Sequence, residues 1–219
     1  MVGPGKEKLP HFTFRIQVKW MSVRRRWLLL ELSKIGLGSE VDLHIAELPP
    51  AYQKAKELVC KIWATRQPHF MIHIGLASPC KATVIVEQCG KNRGYRERDV
   101  CGFLPEDGCC VSEGPERIES TIDMKSVWKN LLAEGIDTIF SRDAGRYICD
   151  YTYYASLYYG NGKAAFIHVP PLSKWVTAEF LGRALQTVIL QMLKQCRKTE
   201  NDPEENHLRT DKKTPGRNV

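Results

Sequence analysis

Apolar and polar residues alternate near the start of the chain, and segments of helical spacing come after them. Phe12, Phe14, Ile16, Val18 and Trp20 have the period of two that is typical of a half-buried strand. Further on, short apolar runs typical of strands alternate with segments whose apolar residues recur every three to four positions. The pattern predicts strands at 41–48, 70–76, 83–87, 138–140 and 164–169, and helices at 24–35, 49–66, 124–132, from about residue 147, and at 177–198. This alternation predicts an α/β fold, a three-layer α/β/α sandwich with a largely parallel central sheet.

Composition divides the chain into one folded α/β domain, residues 27–198, and two terminal segments, residues 1–26 and 199–219. With 219 residues, 43% of them apolar, the chain can bury one substantial core. Residues 1–26 are basic, and residues 199–219 are polar, which predicts a disordered tail. The segment 27–196 holds 19 basic and 19 acidic side chains, so the net charge of +7 lies almost entirely at the termini. A neutral body argues against a nucleic-acid partner.

The sequence also excludes several locations and chemistries. No apolar run approaches the ~20 residues that a membrane span needs, and no secretory signal precedes the body. The eight cysteines include no C-x-x-C pair, and the histidines lack zinc-ligand spacing, so we expect reduced thiols, a cytosolic protein and no metal or organic cofactor. Cys60, Cys89 and Cys196 lie in apolar periodic segments and are expected in the core. Residues 8–30 are rich in arginine and poor in acid, so a mitochondrial targeting arm remains an alternative.

Cys149 and His168 are the candidate reactive pair. Ala144-Gly145 breaks regular structure, and the residues after this break have the pattern of a helix start, which places Cys149 in the first turn. Free amide N–H groups at a helix start favour a thiolate, so we expect a lowered pKa for this thiol. His168 ends a short apolar strand, and a thiol with an imidazole base is the arrangement of a cysteine nucleophile. The structural alternatives are a buried cysteine and a core histidine.

A third group that orients the imidazole is not settled by the pattern alone. Glu87 ends a predicted strand, while Asp143 and Asp150 flank Cys149 in the sequence. In folds of this class, functional groups gather at the carboxyl ends of strands, and Glu87 and His168 both satisfy that rule. The long irregular stretch 91–115 is typical of a functional or flexible loop.

Three segments resemble the motifs of a known peptidase family. The segment around Cys149, with Ser-x-x-Ala-Gly-x-Tyr-aliphatic-Cys at 141–149, is similar to the nucleophile motif of pyroglutamyl-peptidase I, cysteine peptidase family C15. Residues 84–92 are similar to that family's glutamate motif, and residues 166–171 to its histidine segment. Residues from about 27 to 196 resemble this family, and most closely the branch of animals called pyroglutamyl-peptidase I-like.

The resemblance implies a phosphorylase/hydrolase-like fold and a specific reaction. It implies that Cys149 is the nucleophile, His168 the general base and acid, and Glu87 the residue that positions the imidazole. The implied activity is the hydrolysis of the amino-terminal pyroglutamyl residue from peptides, which makes pyroglutamyl peptides the substrate. No cofactor is implied.

The chain also departs from the family pattern. Family members begin with a buried strand that leads into a Thr-Gly-Phe-x-Pro-Phe loop, whose aromatic residues help to form the pyrrolidone pocket. Residues 1–26 contain no such loop, and the alternation of residues 12–20 fits poorly with a strand buried on both faces. Ile85 stands where the family has Ser or Thr, Gln88 stands where it has Lys or Arg, and the loop at 78–80 is one residue longer. The alternative function is therefore a catalytically impaired relative that acts as a binding or regulatory protein.

Overall fold

A computed structural model describes residues 14–20, 26–77 and 83–201. The elements agree with the predicted order and add a small sheet formed by β5 and β6. They are β1 Phe14–Trp20, α1 Arg26–Ile35, β2 Val41–Glu47, α2 Tyr52–Arg66, β3 Phe70–Leu76, β4 Val84–Glu87, β5 Cys89–Lys91, β6 Arg117–Glu119, α3 Met124–Ala133, β7 Thr138–Ser141, α4 Ile148–Tyr159, β8 Ala164–Val169 and α5 Ala178–Asn201.

The six-stranded central sheet has the order β2-β1-β3-β8-β4-β7. Four of its five strand pairs are parallel, and the exception is the antiparallel pair of β4 and β8. The predicted α/β fold with a largely parallel sheet is therefore confirmed. The single antiparallel pair matters for the site, because it reverses the direction of the strand that carries Glu87.

Strand β1 lies in the interior of the sheet, between β2 and β3, and is parallel to both. The expectation that this strand fits poorly in a buried position is wrong. Its apolar residues Phe14, Ile16 and Val18 are buried on one face. On the other face Gln17 is also buried, and its amide donates to the carbonyl oxygen of His44 at 2.9 Å. A polar side chain can occupy an interior strand when it finds a hydrogen-bond partner there.

Helices cover both faces of the sheet and bury apolar clusters on each of them. On one face, α1 and α3 pack against α5, and the largest apolar cluster joins these helices to the strands. On the other face, α2 packs against α4, and the residues between α4 and the sheet form a smaller cluster around Tyr153 and Phe166. Helix α1 ends as predicted, because Gly36 adopts a positive φ of 73° and its N–H donates to the Leu32 carbonyl.

A fully buried asparagine bonds across the irregular stretch between β5 and β6. Asn92 is fully buried, and its amide donates to the carbonyl oxygens of Val111 and Gly114 at 2.8 and 2.9 Å. Its side-chain oxygen accepts from the Val111 N–H at 2.9 Å. The stretch packs outside α4, where Tyr95 and Cys110 join an apolar cluster with α2. It therefore lies close to the start of α4.

The last helix is slightly longer than predicted. Helix α5 continues to Asn201, past the helix end predicted at residue 198, while residues 202–219 lie outside the described part, as do residues 1–13. Cys89 is buried as expected, whereas Cys60 and Cys196 are half-buried. Within the described ranges, no helix is both long and apolar enough to cross a membrane.

Candidate active site

Glu87 and His168 form a hydrogen-bonded pair on adjacent antiparallel strands. The distance from His168 Nδ1 to Glu87 Oε1 is 3.0 Å, and both side chains are buried. In the register of β4 and β8, Glu87 faces Phe166 and Ile85 faces His168, so Glu87 is the diagonal neighbour of His168. In the tautomer in which Nδ1 carries the proton, Nδ1–H donates a hydrogen bond to the carboxylate, and Nε2 is the nitrogen able to accept a proton.

Two aromatic side chains fix this pair. The Tyr153 hydroxyl, from α4, donates to the Glu87 carbonyl oxygen at 2.9 Å, and the Phe166 ring lies 4.6 Å from the His168 ring between centroids. The second carboxylate oxygen, Glu87 Oε2, is buried and has no hydrogen-bond partner among the described residues. The imidazole is therefore held in one orientation, with a carboxylate directed at it.

Cys149 is the second residue of α4, so its predicted place at a helix start is confirmed. Its Sγ lies over Gly75 of β3, at 3.2 Å from the point where a Cβ on that residue would stand. Gly75 is the register partner of His168, one strand away. The thiol, which α4 carries, thus lies over the strand position next to that of His168, on the same face of the sheet. No hydrogen bond joins them in the part of the chain that the structure describes.

The expected lowering of the Cys149 pKa is wrong. Burial raises the pKa of this thiol to about 12, and the carboxylates of Asp150 and Glu87 add to the increase. A buried thiolate loses the hydration that stabilises its charge, and the two acidic neighbours repel it. The resting group is therefore the thiol.

The two aspartates near Cys149 have other partners. Asp143 pairs with Lys91 and Arg146 at 2.9 and 2.6 Å, and although its partial burial opposes this, these hydrogen bonds and one from the Gly145 N–H lower its pKa. Asp150 is fully buried and faces away from the imidazole, toward Lys91 and Tyr95. Of the three carboxylates that the pattern left open, only Glu87 reaches His168.

The departures from the family pattern fall in different places. Ile85 is buried directly opposite His168 on the adjacent strand. Gln88 lies away from the imidazole, where its amide donates to the carbonyls of Ser120 and Ile122 and its oxygen accepts from the Met124 N–H. The longer loop at 78–80 and the segment 21–25 that comes after β1, where the aromatic loop is missing, both lie outside the described residues.

Gly75 and Tyr153 belong to the site and were missed by sequence reasoning. The signal for Gly75 was present, because a glycine inside a continuous apolar strand often marks a close approach of another group. Tyr153 had no distinguishing signal, because it lies in a run of aromatic residues along α4.

Among the described residues, the pair of Glu87 and His168 coincides neither with a metal cluster nor with the cavity beside the start of α4. In the described ranges, no group of three or more His, Cys, Asp or Glu side chains could hold a metal ion. A cavity of about 670 Å³ lies instead beside the start of α4, lined by residues that include Lys91, Tyr95 and Arg146. The residues that line this cavity all belong to the described part of the chain. The segments 21–25 and 78–82, which follow β1 and β3 in the sequence, lie outside that part.

Fold and site together define a class: an α/β protein with a carboxylate–imidazole pair on its sheet and a thiol at the start of an adjacent helix. A family profile described as pyroglutamyl peptidase matches residues 31–193. The chain belongs to the pyroglutamyl peptidase family and is a peptidase of that family. It is 51% identical over 175 residues to pyroglutamyl-peptidase 1-like protein from Homo sapiens, covering 79% of this chain and 89% of that protein. It is 44% identical over 187 residues to pyroglutamyl-peptidase 1 from Homo sapiens, covering 84% and 86%.

Solved structures of similar fold bear related names. Pyrrolidone carboxyl peptidase from Thermococcus litoralis matches with a TM-score of 0.73 at 19% identity, over 85% of this chain and 96% of that chain. The enzyme of that name from Fervidobacterium islandicum matches with a TM-score of 0.72 at 23% identity, over 83% and 99%. At such identities these structures establish the fold alone.

Proposed function

We propose that the chain hydrolyses the amino-terminal pyroglutamyl residue from peptides, with Cys149 as nucleophile, His168 as general base and acid, and Glu87 as the residue that orients the imidazole. The observation that carries this proposal is the 3.0 Å hydrogen bond between Glu87 Oε1 and His168 Nδ1, on the sheet face over which the Cys149 sulfur lies. Substrates would be peptides that begin with pyroglutamate, in accordance with the family.

The reaction begins with a protonated thiol, because burial raises the pKa of Cys149. As the sulfur attacks the exocyclic carbonyl carbon of the pyroglutamyl residue, the thiol proton passes to His168 Nε2. The new imidazolium is paired with the Glu87 carboxylate, which stabilises its charge. His168 then protonates the leaving amine, the C–N bond breaks, and a thioester remains on Cys149.

Water completes the cycle. His168 takes a proton from a water molecule, whose oxygen attacks the thioester carbonyl, and the C–S bond breaks. The thiolate recovers its proton from the imidazolium, and free pyroglutamate leaves. The leaving amine takes the first proton that His168 removes and the Cys149 thiolate takes the second, so the imidazole ends the cycle in its starting form.

The start of α4 supplies donors for the oxyanion formed in both steps. The first backbone N–H groups of a helix have no partner within the helix, and they carry the positive end of its dipole. Ile148 and Cys149 are the first two residues of α4, so their N–H groups lie beside the attacking sulfur. Such fixed donors stabilise the tetrahedral intermediate by about 3 kcal/mol each.

A second candidate is a relative that binds pyroglutamyl peptides without turning them over. Two observations favour it: the thiol is held protonated, with its pKa raised to about 12, and Ile85 presents an apolar side chain beside the imidazole where the family has a hydroxyl. In this case the pair of Glu87 and His168 would persist as a structural feature of the sheet.

Turnover of pyroglutamyl aminomethylcoumarin by the purified chain separates the two functions. We expect release of the fluorophore, its loss in Cys149→Ala and His168→Ala, and normal rates in Cys101→Ala, which changes an exposed cysteine of the irregular stretch between β5 and β6. Binding of a pyroglutamyl peptide to Cys149→Ala is measured in parallel. Binding without turnover in the unmodified chain favours the second candidate, and turnover that survives Cys149→Ala excludes the proposed mechanism.

A further inference from the structure

The cavity beside the start of α4 has no part in the proposed mechanism, although it borders the segment that carries the nucleophile. Its volume is about 670 Å³. Its walls come from two parts of the irregular stretch between β5 and β6, within 91–96 and 104–108, and from Glu116 and Arg146. Ligand sites in proteins typically have volumes of roughly 300–1,000 Å³, so this cavity is large enough to bind a short segment of peptide.

Backbone hydrogen bonds join the two parts of the stretch that form the walls. The Gly108 carbonyl oxygen accepts from the N–H groups of Gly94 and Tyr95 at 2.9 and 3.2 Å. Gly94 has a positive φ of 101°, and a Cβ on this residue would stand 3.2 Å from Arg146 Cδ. A glycine here allows both the turn and the close approach of the arginine stem. Main-chain bonds and side-chain packing thus define the shape of the cavity.

Four cations line the cavity, and two of them have no acidic partner. Lys91 Nζ and Arg146 Nη1 both contact Asp143, at 2.9 and 2.6 Å. Arg93 and Arg96 are exposed, and neither forms an ion pair within the described ranges. A guanidinium group binds a carboxylate through two parallel N–H···O bonds. The two arginines are therefore available to a carboxylate of a ligand.

Two carboxylates also line the cavity, and they narrow the class of ligand. Asp107 and Glu116 are exposed, and neither forms an ion pair in the part of the chain that the structure describes. An inorganic anion would find only repulsion there. An acidic peptide supplies a carboxylate for the arginines and backbone N–H groups for the acids. The lining thus fits a peptide segment better than a free anion.

The turn before α4 connects this cavity to the nucleophile. Arg146 lines the cavity and comes three residues before Cys149, so their Cα atoms are at most about 11 Å apart. An extended peptide advances about 3.5 Å per residue. If the pyroglutamyl carbonyl lies at the Cys149 sulfur, the third to fifth residues of the peptide are within reach of the cavity.

We propose that this cavity is a subsite for the leaving part of the substrate, where Arg93 and Arg96 bind a carboxylate carried by the third to fifth residues of the peptide. The inference rests on the proposed function, because its ligand is the peptide that Cys149 attacks. It makes pyroglutamyl peptides with acidic residues shortly after the first position the preferred substrate class. The bond that breaks is unchanged, since the subsite contacts only the part that leaves.

Binding to Cys149→Ala, measured by fluorescence anisotropy, tests the subsite without turnover. Three peptides begin with pyroglutamyl-alanine, carry Glu-Glu, Gln-Gln or Lys-Lys next, and have the same rhodamine label at an amidated carboxyl end. At low salt the Glu-Glu peptide should bind about threefold to tenfold more tightly than the Gln-Gln peptide, and the Lys-Lys peptide most weakly. About 1 M salt should abolish the difference by screening. Equal binding of the first two peptides, or no measurable binding of either, overturns the proposal.

The double variant Arg93→Gln, Arg96→Gln, made in Cys149→Ala, should bind the Glu-Glu and Gln-Gln peptides equally. Its matched control is Arg98→Gln, Arg183→Gln, which removes the same charge. Arg98 belongs to the same stretch and donates to a backbone carbonyl at 2.7 Å, while Arg183 lies on α5. Neither is among the residues that line the cavity, so the control should keep the preference. An equal loss in both variants would mean that the peptides respond to net charge, and it overturns the subsite.

These binding measurements separate the subsite from the proposed function. A chain that hydrolyses no pyroglutamyl substrate, yet shows the arginine-dependent preference, keeps the subsite and loses the activity. An active chain without the preference keeps the activity and loses the subsite. In an active chain, Arg93→Gln, Arg96→Gln should raise KM for the Glu-Glu peptide about threefold to tenfold with kcat within about twofold, because these contacts are equal in the ground and transition states. An unchanged KM contradicts the inference.

Discussion

Oε1 of Glu87 lies 3.0 Å from Nδ1 of His168, across the antiparallel strands β4 and β8. In the register of these strands the two residues are diagonal neighbours on one face of the sheet. Backbone register thus fixes the separation of the two side chains, and Tyr153 fixes the Glu87 backbone from the helix above. This geometry gives the glutamate a role that the two aspartates near Cys149 cannot share.

Glu87→Gln should lower kcat for a pyroglutamyl amide on the order of 100-fold with little change in KM, because the imidazolium loses its paired charge while the fold is preserved. Asp143→Asn is the matched comparison and should keep its activity. Steady-state kinetics of the two variants measure the effect, and unfolding curves confirm that each variant is folded. If the aspartate variant loses as much as the glutamate variant, Glu87 is not the orienting group.

General alkylating reagents should not favour Cys149. At pH 7, iodoacetamide should modify Cys101 first, because that thiol is exposed, whereas burial raises the pKa of Cys149 to about 12. A pyroglutamyl chloromethyl ketone should reverse the order, since it places its reactive carbon at the site and lets His168 accept the thiol proton.

Peptide mapping after limited labelling measures both orders. His168→Ala should slow the reaction of the ketone with Cys149 and leave the reaction of Cys101 with iodoacetamide unchanged. Faster labelling of Cys149 than of Cys101 by iodoacetamide at pH 7 would mean that the thiol is more ionised than its burial implies.

Gly75→Ala should impair catalysis more than folding. The added Cβ would stand 2.7 Å from Phe166 Cζ and 3.2 Å from Cys149 Sγ, so the ring or the thiol must shift. Displacement of a reacting group by about 1 Å costs on the order of 100-fold in rate, whereas such overpacking costs about 1–3 kcal/mol of stability. Kinetics and urea unfolding measure the two effects.

Gly182→Ala is a control for crowding alone. Its Cβ would stand 3.0 Å from the Cβ of Glu31, where α5 packs against α1 on the opposite face of the sheet. We expect activity within about twofold of the unmodified chain. Equal losses in the two glycine variants would show that Gly75 acts through stability and not through the position of the thiol.

Replacement of residues 21–25 by a Thr-Gly-Phe-x-Pro-Phe loop should raise activity by about one or two powers of ten, because aromatic burial of the pyrrolidone ring is worth about 1–3 kcal/mol. Strand β1 already occupies the interior of the sheet, so the strand itself should be kept, and the melting temperature should change little. Pyroglutamyl amide kinetics measure the gain.

The graft carrying Cys149→Ala is the control for this replacement. A folded graft that is as inert as its Cys149→Ala counterpart would place the defect elsewhere. Ile85 would then be the first candidate, because it lies directly opposite His168.

Asp150→Asn should change how stability depends on pH. The folded-state pKa of Asp150 is raised to about 7, above its unfolded value, so between about pH 4 and 7 the unfolded chain releases this proton while the folded chain retains it. The carboxyl group therefore lowers stability progressively over that window and fully above it. The free energy of unfolding of Asp150→Asn, relative to that of the unmodified chain, should therefore rise by on the order of a few kcal/mol between pH 4 and pH 8.

Urea unfolding at several pH values measures this difference. For Asp143→Asn, the difference in stability from the unmodified chain should depend on pH in the opposite direction. The folded-state pKa of Asp143 is lowered, so its carboxylate stabilises the fold at neutral pH and this stabilisation is lost as the pH falls. Parallel stability curves for Asp150→Asn and the unmodified chain would mean that folding leaves the pKa of Asp150 at its unfolded value.

Spacing between neighbours along the chain was enough to predict the elements and two of the site residues. The periods of apolar residues placed the strands and helices, and the Ala144-Gly145 break placed Cys149 at a helix start. His168 was correctly placed near the end of a buried strand. These features depend on local spacing, which a strand or a helix turns directly into geometry.

Tertiary packing decided which groups meet and in what surroundings. The choice of Glu87 over Asp143 and Asp150 depends on β4 running antiparallel to β8, and the alternation of residues along the chain does not encode strand direction. The interior place of β1 depends on a carbonyl of β2 that accepts from Gln17. The raised pKa of Cys149 depends on its burial between α4 and the sheet and on the carboxylates of Asp150 and Glu87, which only the tertiary packing brings near the thiol.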